Sequence, residues 1–377
     1  MLSPMSRSSA RFAPFLLVPW MLCGATAQQT LAEVEQKFRA EMQQLAANSP
    51  SAEQRQQLFA RQATALRAFL TDTAKGDDRW NGRLMLADLE MMRGEPQAAI
   101  AALRGLDAAA APALVLVTAA TMAGHLRMAK ERDAWIAAAI AKPAPLEDRL
   151  AMARLLMNAM HDVARGEKLF GDALLAATDD EQRAYVRWFR ADALREREDL
   201  PDNAAFDELE KLAKDLPDTY WGGVAKDRHR ATQLSIGDPA IEFHATTLAG
   251  EPASLAAQRG KVVVLAFWTQ ADYDTPGLVA LLEQQVRAHP DTVCVYGICL
   301  DRQPDEIKKA VRELGIDFPV IGDGKGPLGD AALRWFVEGP VVQVVDRGGR
   351  IAALGLQTGT ADGKQQLTDV IEHALRD

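Results

Sequence analysis

The stretch that decides the fold of the C-terminal half is GKVVVLAFWTQADYDTPG, from Gly260 to Gly277. Lys261 to Trp268 is a nearly continuous apolar run rich in β-branched residues, the signature of a strand covered on both faces. The pattern then changes. Leu278, Leu281, Leu282 and Val286 recur at helical spacing, so a helix is expected after Pro276. Between strand and helix lies a short polar loop with two residues suited to a helix start, Asp272 and Thr275.

Outward from this point, strands and helices alternate. Thr292–Leu300 reads as a second buried strand, and Ile307, Ala310, Val311 and Leu314 mark another helix face. FPVI (318–321), PVVQVVD (340–346) and RIAALGL (350–356) supply three more strands. Leu367, Val370, Ile371 and Leu375 close with a helix. A β-α-β order followed by antiparallel strands predicts a central sheet covered by helices.

The segment from about Ile236 to the C-terminus resembles a thioredoxin-fold domain. It is most similar to the exported TlpA/ResA-like and AhpC/TSA (redoxin) branch. The residues that carry the likeness are GDPAIEFHATTLAGEPASL (237–255), RGKVVVLAFW (259–268), GIDFPVIGD (315–323) and GPVVQVVDRGGRI (339–351). In that family Trp268 would be followed by three residues and then Cys-x-x-Cys at a helix start, where the helix end stabilises a thiolate. Asp272 and Thr275 hold those two positions, and no cysteine occurs from Phe267 to Thr292. The resemblance also implies a cis-proline at Pro340, although the Gly339–Pro340 step is one residue tighter than the usual spacing.

The thiol chemistry of the family therefore has no atoms in this loop, and no catalytic residue is assigned. Two readings of the loop follow. It is a helix cap, formed by Asp272 or by Thr275 with Pro276 at the first helical position. Alternatively, Asp272, Tyr273 and Asp274 form an acidic recognition tip beside Gly339, Pro340 and Trp268, where an extended peptide pairs with backbone.

From about Gln28 to Ser235 there is no convincing strand run. Ala, Leu, Glu, Gln and Arg dominate, all good helix formers. Leu31, Val34, Phe38 and Leu45 keep helical spacing. From Trp80, one helix, a turn at Gly94 and a second helix over 96–106 are expected. Leu86, Ala87, Gly94, Ala99 and Leu103 stand where a tetratricopeptide-type hairpin needs small and apolar residues. Phe170 with Ala173 and Leu174, and Phe206 followed by Pro217, echo the second helix of that hairpin. The steps from Leu103 to Phe170 to Phe206 are 67 and 36 residues, about two repeats and one. The fold class is an all-α, repeat-like part over 28–235 and an α/β thioredoxin-fold part over 236–377. Three to five hairpins stacked as a short solenoid, or an irregular helical bundle, both satisfy the pattern.

Residues 1–27 read as an export signal. Arg7 and Arg11 precede an apolar stretch from Phe12 to Cys23, and Ala25-Thr26-Ala27 fits small-x-small cleavage after Ala27. A retained anchor needs about 20 apolar residues, and Pro14 and Pro19 interrupt this stretch. Lipid attachment at Cys23 lacks the small residues usual before a lipidated cysteine. No later segment is apolar enough to span a membrane, so a periplasmic location is expected.

The net charge of −9 becomes −11 once the two signal arginines are removed. With no long basic run, an acidic chain argues against nucleic acid as partner and leaves an unknown protein or peptide. Cys294 and Cys299 are the cysteines beyond the signal. They lie five strand steps, about 16 Å, apart and face opposite ways. They cannot bridge and read as small buried hydrophobes. His125, His161, His229, His244, His289 and His373 form no ligand pair, and neither a phosphate loop nor a nucleophile elbow occurs. No metal or cofactor is expected. GDGKGPLGD (322–330) reads as a loop, and Trp80, Trp135, Trp188 and Trp221 as core.

Overall fold

The computed structural model describes residues 30–46, 51–72, 75–197, 199–201 and 203–376. The proposed signal and its cleavage site at Ala27 lie outside the described residues. The chain divides into two compact units, one ending at Lys142 and one running Pro143–Asp377.

The first unit is helical among its described residues: α1 (Leu31–Ala46), α2 (Ala52–Asp72), α3 (Asp78–Met92), α4 (Pro96–Arg104), α5 (Ala113–His125) and α6 (Ala129–Ala141). The hairpin α3–α4 turns at Gly94, whose φ of 76° is strained for any residue with a Cβ. Ala87, Ala99 and Leu103 are fully buried. Small side chains there let the two helices approach closely. Glu90, also fully buried, is matched by Arg67 and by Arg93 at 2.6 Å. Two guanidiniums offset the desolvation of one carboxylate.

The second unit opens with α7 (Leu146–Arg154), which runs into a π-helical turn over Leu155–Ala159. There follow α8 (Val163–Ala176), α9 (Asp180–Arg195), α10 (Ala204–Asp215) and α11 (Tyr220–Ala231). Asp162, Asp179 and Thr219 cap α8, α9 and α11 by accepting from an amide three residues on, as their residue types favour. Trp80, Trp135 and Trp188 are buried. Trp221 is half-buried and packs on Trp188 with ring centroids 4.4 Å apart.

After α11 the chain changes to strands. A small hairpin, β1 (Ala245–Thr246) with β2 (Pro252–Ala253), precedes β3 (Val262–Trp268), α12 (Thr275–Ala288) and β4 (Val293–Cys299). Then come α13 (Pro304–Leu314), β5 (Val320–Ile321), α14 (Asp330–Arg334), β6 (Val341–Val345), β7 (Ile351–Leu356) and α15 (Ala361–Ala374). The sheet order is β5-β4-β3-β6-β7. β3 runs parallel to β4 and antiparallel to β6. This is the mixed sheet of a thioredoxin-like fold.

Strand period explains the layering. Val262, Val264, Ala266 and Trp268 face a core shared with α12, α13 and α15. Val263, Leu265 and Phe267 face a second core with Ile241, Phe243 and α14. With both faces covered, all seven residues of β3 are buried, and alternation disappears from the sequence. Cys299 lies in the first core and Cys294 against the second, so the two thiols do face opposite ways. Cys294, expected to be buried, is only half-buried. It packs at the margin of the second core, whereas Val293 before it is buried in the first.

Candidate functional site

The C-terminal end of β3 and the start of α12 form one wall of a cleft of about 170 Å³. Trp268, Asp272, Tyr273, Asp274, Thr275 and Leu278 line that wall. Pro340, Val341 and Val342, at and just before β6, line another, and Leu356 to Gly359 close the third. Six of the seven residues singled out from the sequence thus converge. Gly339 is not among the lining residues.

The sequence did not point to Gln357, Thr358 and Gly359. They follow β7 and reach the cleft because β7 pairs with β6 and α15 packs beside α12. A pairing made some 90 residues along the chain leaves no local signal at the Asp272 loop. Lys364, on the first turn of α15, is likewise brought to 3.5 Å from Asp274 Oδ1.

Both expected caps of α12 differ in the structure. Asp274 is the residue before the helix, and its side chain accepts no capping hydrogen bond. Asp272 Oδ1 accepts from the Asp274 amide at 3.1 Å, a local Asx turn. Thr275 is the first helical residue. Its hydroxyl donates to the Thr269 carbonyl at 2.8 Å instead of accepting from an amide. The reason is burial: Thr275 is enclosed, and the Thr269 carbonyl just past β3, which also accepts from the Asp272 amide at 3.4 Å, satisfies its hydroxyl. The backbone makes the first turn itself, with the Thr275 amide donating to the Asp272 carbonyl. Pro276 follows as the second helical residue.

No peptide bond among the described residues is cis, so Pro340 is joined in trans. An X–Pro bond prefers trans by only about 0.5–1 kcal/mol, so its surroundings choose the isomer. Here Gly339, with open space where a Cβ would be, makes the approach to β6.

The segment just before the cleft is held by the helices of its own unit. Arg195 pairs with Glu338 at 2.8 Å and with Asp192 at 3.1 Å. The buried Arg228 lies over the Phe336 ring, 4.4 Å from its centroid. Phe336 has a φ of 53°, a conformation that a bulky residue holds only when its neighbours impose it. Leu333 of α14 completes the core of α9–α11. Helices and sheet together therefore position Pro340.

Tyr273 is 86% exposed at the loop tip, whereas Trp268 beneath it is 2% exposed. The Trp268 Nε1–H is buried without a partner. The two cysteines lie outside this cleft. Cys299 borders a different hollow of about 270 Å³, with His244, Asp323, Lys325 and Asp330. Its thiol donates to Asp301 Oδ2 at 3.4 Å.

Burial disfavours the thiolate and pushes Cys294 up to about 11 and Cys299 up to about 12. Native labelling with a thiol reagent at pH 8 is expected to be slow at both, with Cys294 ahead of Cys299, and fast after unfolding. Stability must also fall as pH rises from the ordinary thiol value, about 8.5, through these raised values. Over that range the unfolded chain has lost protons that the folded chain keeps. Each thiol contributes a slope of up to about 1.4 kcal/mol per pH unit. Denaturant titrations from pH 8 to 10.5 check this, and replacing both cysteines by alanine should flatten the decline.

The AhpC/TSA family model matches residues 236–353. The thioredoxin-like protein YneN of Bacillus subtilis is 22% identical over 155 residues, 40% of this chain and 89% of that protein. A thiol-disulfide oxidoreductase thioredoxin domain from Bacteroides vulgatus is 23% identical, covering 37% of this chain and 99% of that one, with a TM-score of 0.32. A DsbF homologue from Corynebacterium diphtheriae is 29% identical over 36% and 85% of the two chains, also with a TM-score of 0.32. With its mixed sheet covered by helices, the segment from residue 236 onward has a thioredoxin-like fold, and within it residues 236–353 match the AhpC/TSA family model.

Proposed function

We propose that this chain is an exported, redox-inactive thioredoxin-like protein that binds an extended segment of a partner protein at the Asp272–Thr275 cleft. One observation carries the reading. Where the fold places its reactive thiols, the chain keeps a cleft, replaces sulfur by Asp272 and Thr275, and exposes the aromatic ring of Tyr273 at 86%. Exposed tyrosines beside a hollow are typical anchors of protein contacts. Trp268 and Pro340 give such a segment a rigid floor and wall.

A disulfide reductase or peroxidase needs an accessible thiolate. Cys294 and Cys299 lie outside the cleft with raised pKa values, so they support that alternative poorly. Export rests on the Phe12–Cys23 stretch and the Ala25-Thr26-Ala27 site, and the periplasm is the proposed location. No helix among the described residues is long and apolar enough to cross a membrane.

The test places a photo-crosslinking amino acid at Tyr273 and, as control, at Leu175, which is equally exposed on α8. Crosslinking in the cell should give a discrete adduct from position 273 and none from 175. In parallel, the purified protein should turn over neither insulin disulfides nor hydrogen peroxide. Turnover abolished by replacing Cys294 or Cys299 would reject the redox-inactive reading, and equal crosslinking at both positions would reject the cleft.

A further inference from the structure

The Asp274 carboxylate is incompletely satisfied. Its Oδ1 faces the Lys364 ammonium at 3.5 Å, long for a hydrogen bond. Its Oδ2 is shut off from water and accepts no hydrogen bond. A buried acceptor without a donor is destabilising, and such atoms in a folded protein call for an account.

The surroundings are built around that oxygen. A Cβ on Gly359 would stand 2.9 Å from Oδ2 and 3.5 Å from the Tyr273 hydroxyl, so glycine leaves the carboxylate and the ring end room at one spot. A Cβ on Gly277 would meet Lys364 Nζ at 2.4 Å, so Lys364 lies across the first turn of α12. An ammonium at the positive end of a helix is poorly placed. Lys364 is thus a weak counter-ion, at 3.5 Å and partly exposed.

We propose that the cleft captures a lysine or arginine side chain of the bound segment, with Asp274 Oδ2 accepting its N–H and Tyr273 swinging aside to cover it. The proposal rests on the peptide-binding reading above. At about 170 Å³ the cleft is smaller than the several hundred Å³ usual for small-molecule sites, so it suits one side chain. A neutral apolar side chain leaves Oδ2 unpaired, and an acidic one adds a third negative charge beside Asp272 and Asp274. A guanidinium or ammonium supplies both donor and charge, and the tyrosine ring adds a face that attracts cations.

The experiment selects a phage-displayed random dodecapeptide library on the full chain at about 0.15 M salt, where long-range attraction to an acidic surface is screened. Selected peptides are then measured by fluorescence anisotropy, each beside a copy with its Lys or Arg replaced by norleucine. The expected result is selection of Lys- or Arg-bearing peptides that lose about tenfold or more in affinity on the norleucine change. Asp274→Asn should remove that discrimination. Lys364→Met, which frees the carboxylate of its internal partner, should tighten binding by about threefold. A merely structural Asp274–Lys364 pair predicts no tightening. Peptides that depend on Tyr273 but ignore norleucine, or unchanged or weaker binding in Lys364→Met, overturn the cationic assignment and leave the binding cleft standing. Failure to select any peptide that Tyr273→Ala weakens overturns both.

Discussion

Replacing Asp272 and Thr275 together by cysteine is expected to give the cleft disulfide-reductase activity. The pair would form Cys-x-x-Cys, with the second position at the first residue of α12. Position 272 lines the cleft, and its change removes a negative charge that would oppose a thiolate. The nearby helix start then favours that thiolate. Position 275 is 3% exposed, so its thiol is shielded from outside attack yet placed to resolve a mixed disulfide. Trp268 and Pro340 already line the space where a substrate sulfur would lie. Insulin reduction with dithiothreitol should exceed the wild-type background by at least about tenfold, about 1.4 kcal/mol in the barrier. Cysteine at 272 alone should stop at the mixed disulfide. A folded double variant with no gain would show that the cleft does not place two thiols within reach of a substrate disulfide.

Trp268→Ala should cost about 3–5 kcal/mol of stability, the range for removing a large buried aromatic side chain. Trp268 ends β3, belongs to the core under α12, α13 and α15, and floors the cleft. Its Nε1–H has no partner, so nearly all of the loss comes from packing and apolar burial. Tyr273→Ala, five residues away and almost fully solvated, should change stability by no more than about 0.5 kcal/mol. Urea titrations of both variants read the difference. If Trp268→Ala costs less than about 1 kcal/mol, the residue is not the packed floor that the structure shows. A large loss from Tyr273→Ala would mean that the tip is structural and not a contact held out for a partner.

How much of this was legible beforehand depends on the range of the interaction. Val262–Trp268 declares itself, because a strand covered on both faces must be apolar at every position. The opposed faces of Cys294 and Cys299 follow from an odd separation in one strand. The hairpin around Gly94 is equally readable, since a left-handed turn between two helices favours glycine. These features are set by residues within a few positions of each other.

The cap of α12 was not readable. Asp272 and Thr275 both have capping side chains, and propensity cannot choose between them. The choice fell to the Thr269 carbonyl, which draws the Thr275 hydroxyl inward, and to the Asx turn that occupies Asp272. The third wall of the cleft was also hidden, because Gln357–Gly359 join it, and Lys364 reaches Asp274, only through the β6–β7 pairing and the seat of α15. The change from helices to strands near Ser235 is plain in the composition. The compact division after Lys142 is not, because it depends on Leu333 and Phe336 packing with α9–α11. By itself the sequence determined the strand and helix order, the two-sided sheet and the absence of thiols from the Asp272 loop, since each is a matter of local pattern or residue identity. Only the tertiary structure decided which distant side chains surround Asp274 and how helices and sheet are grouped, because those depend on contacts between residues tens of positions apart.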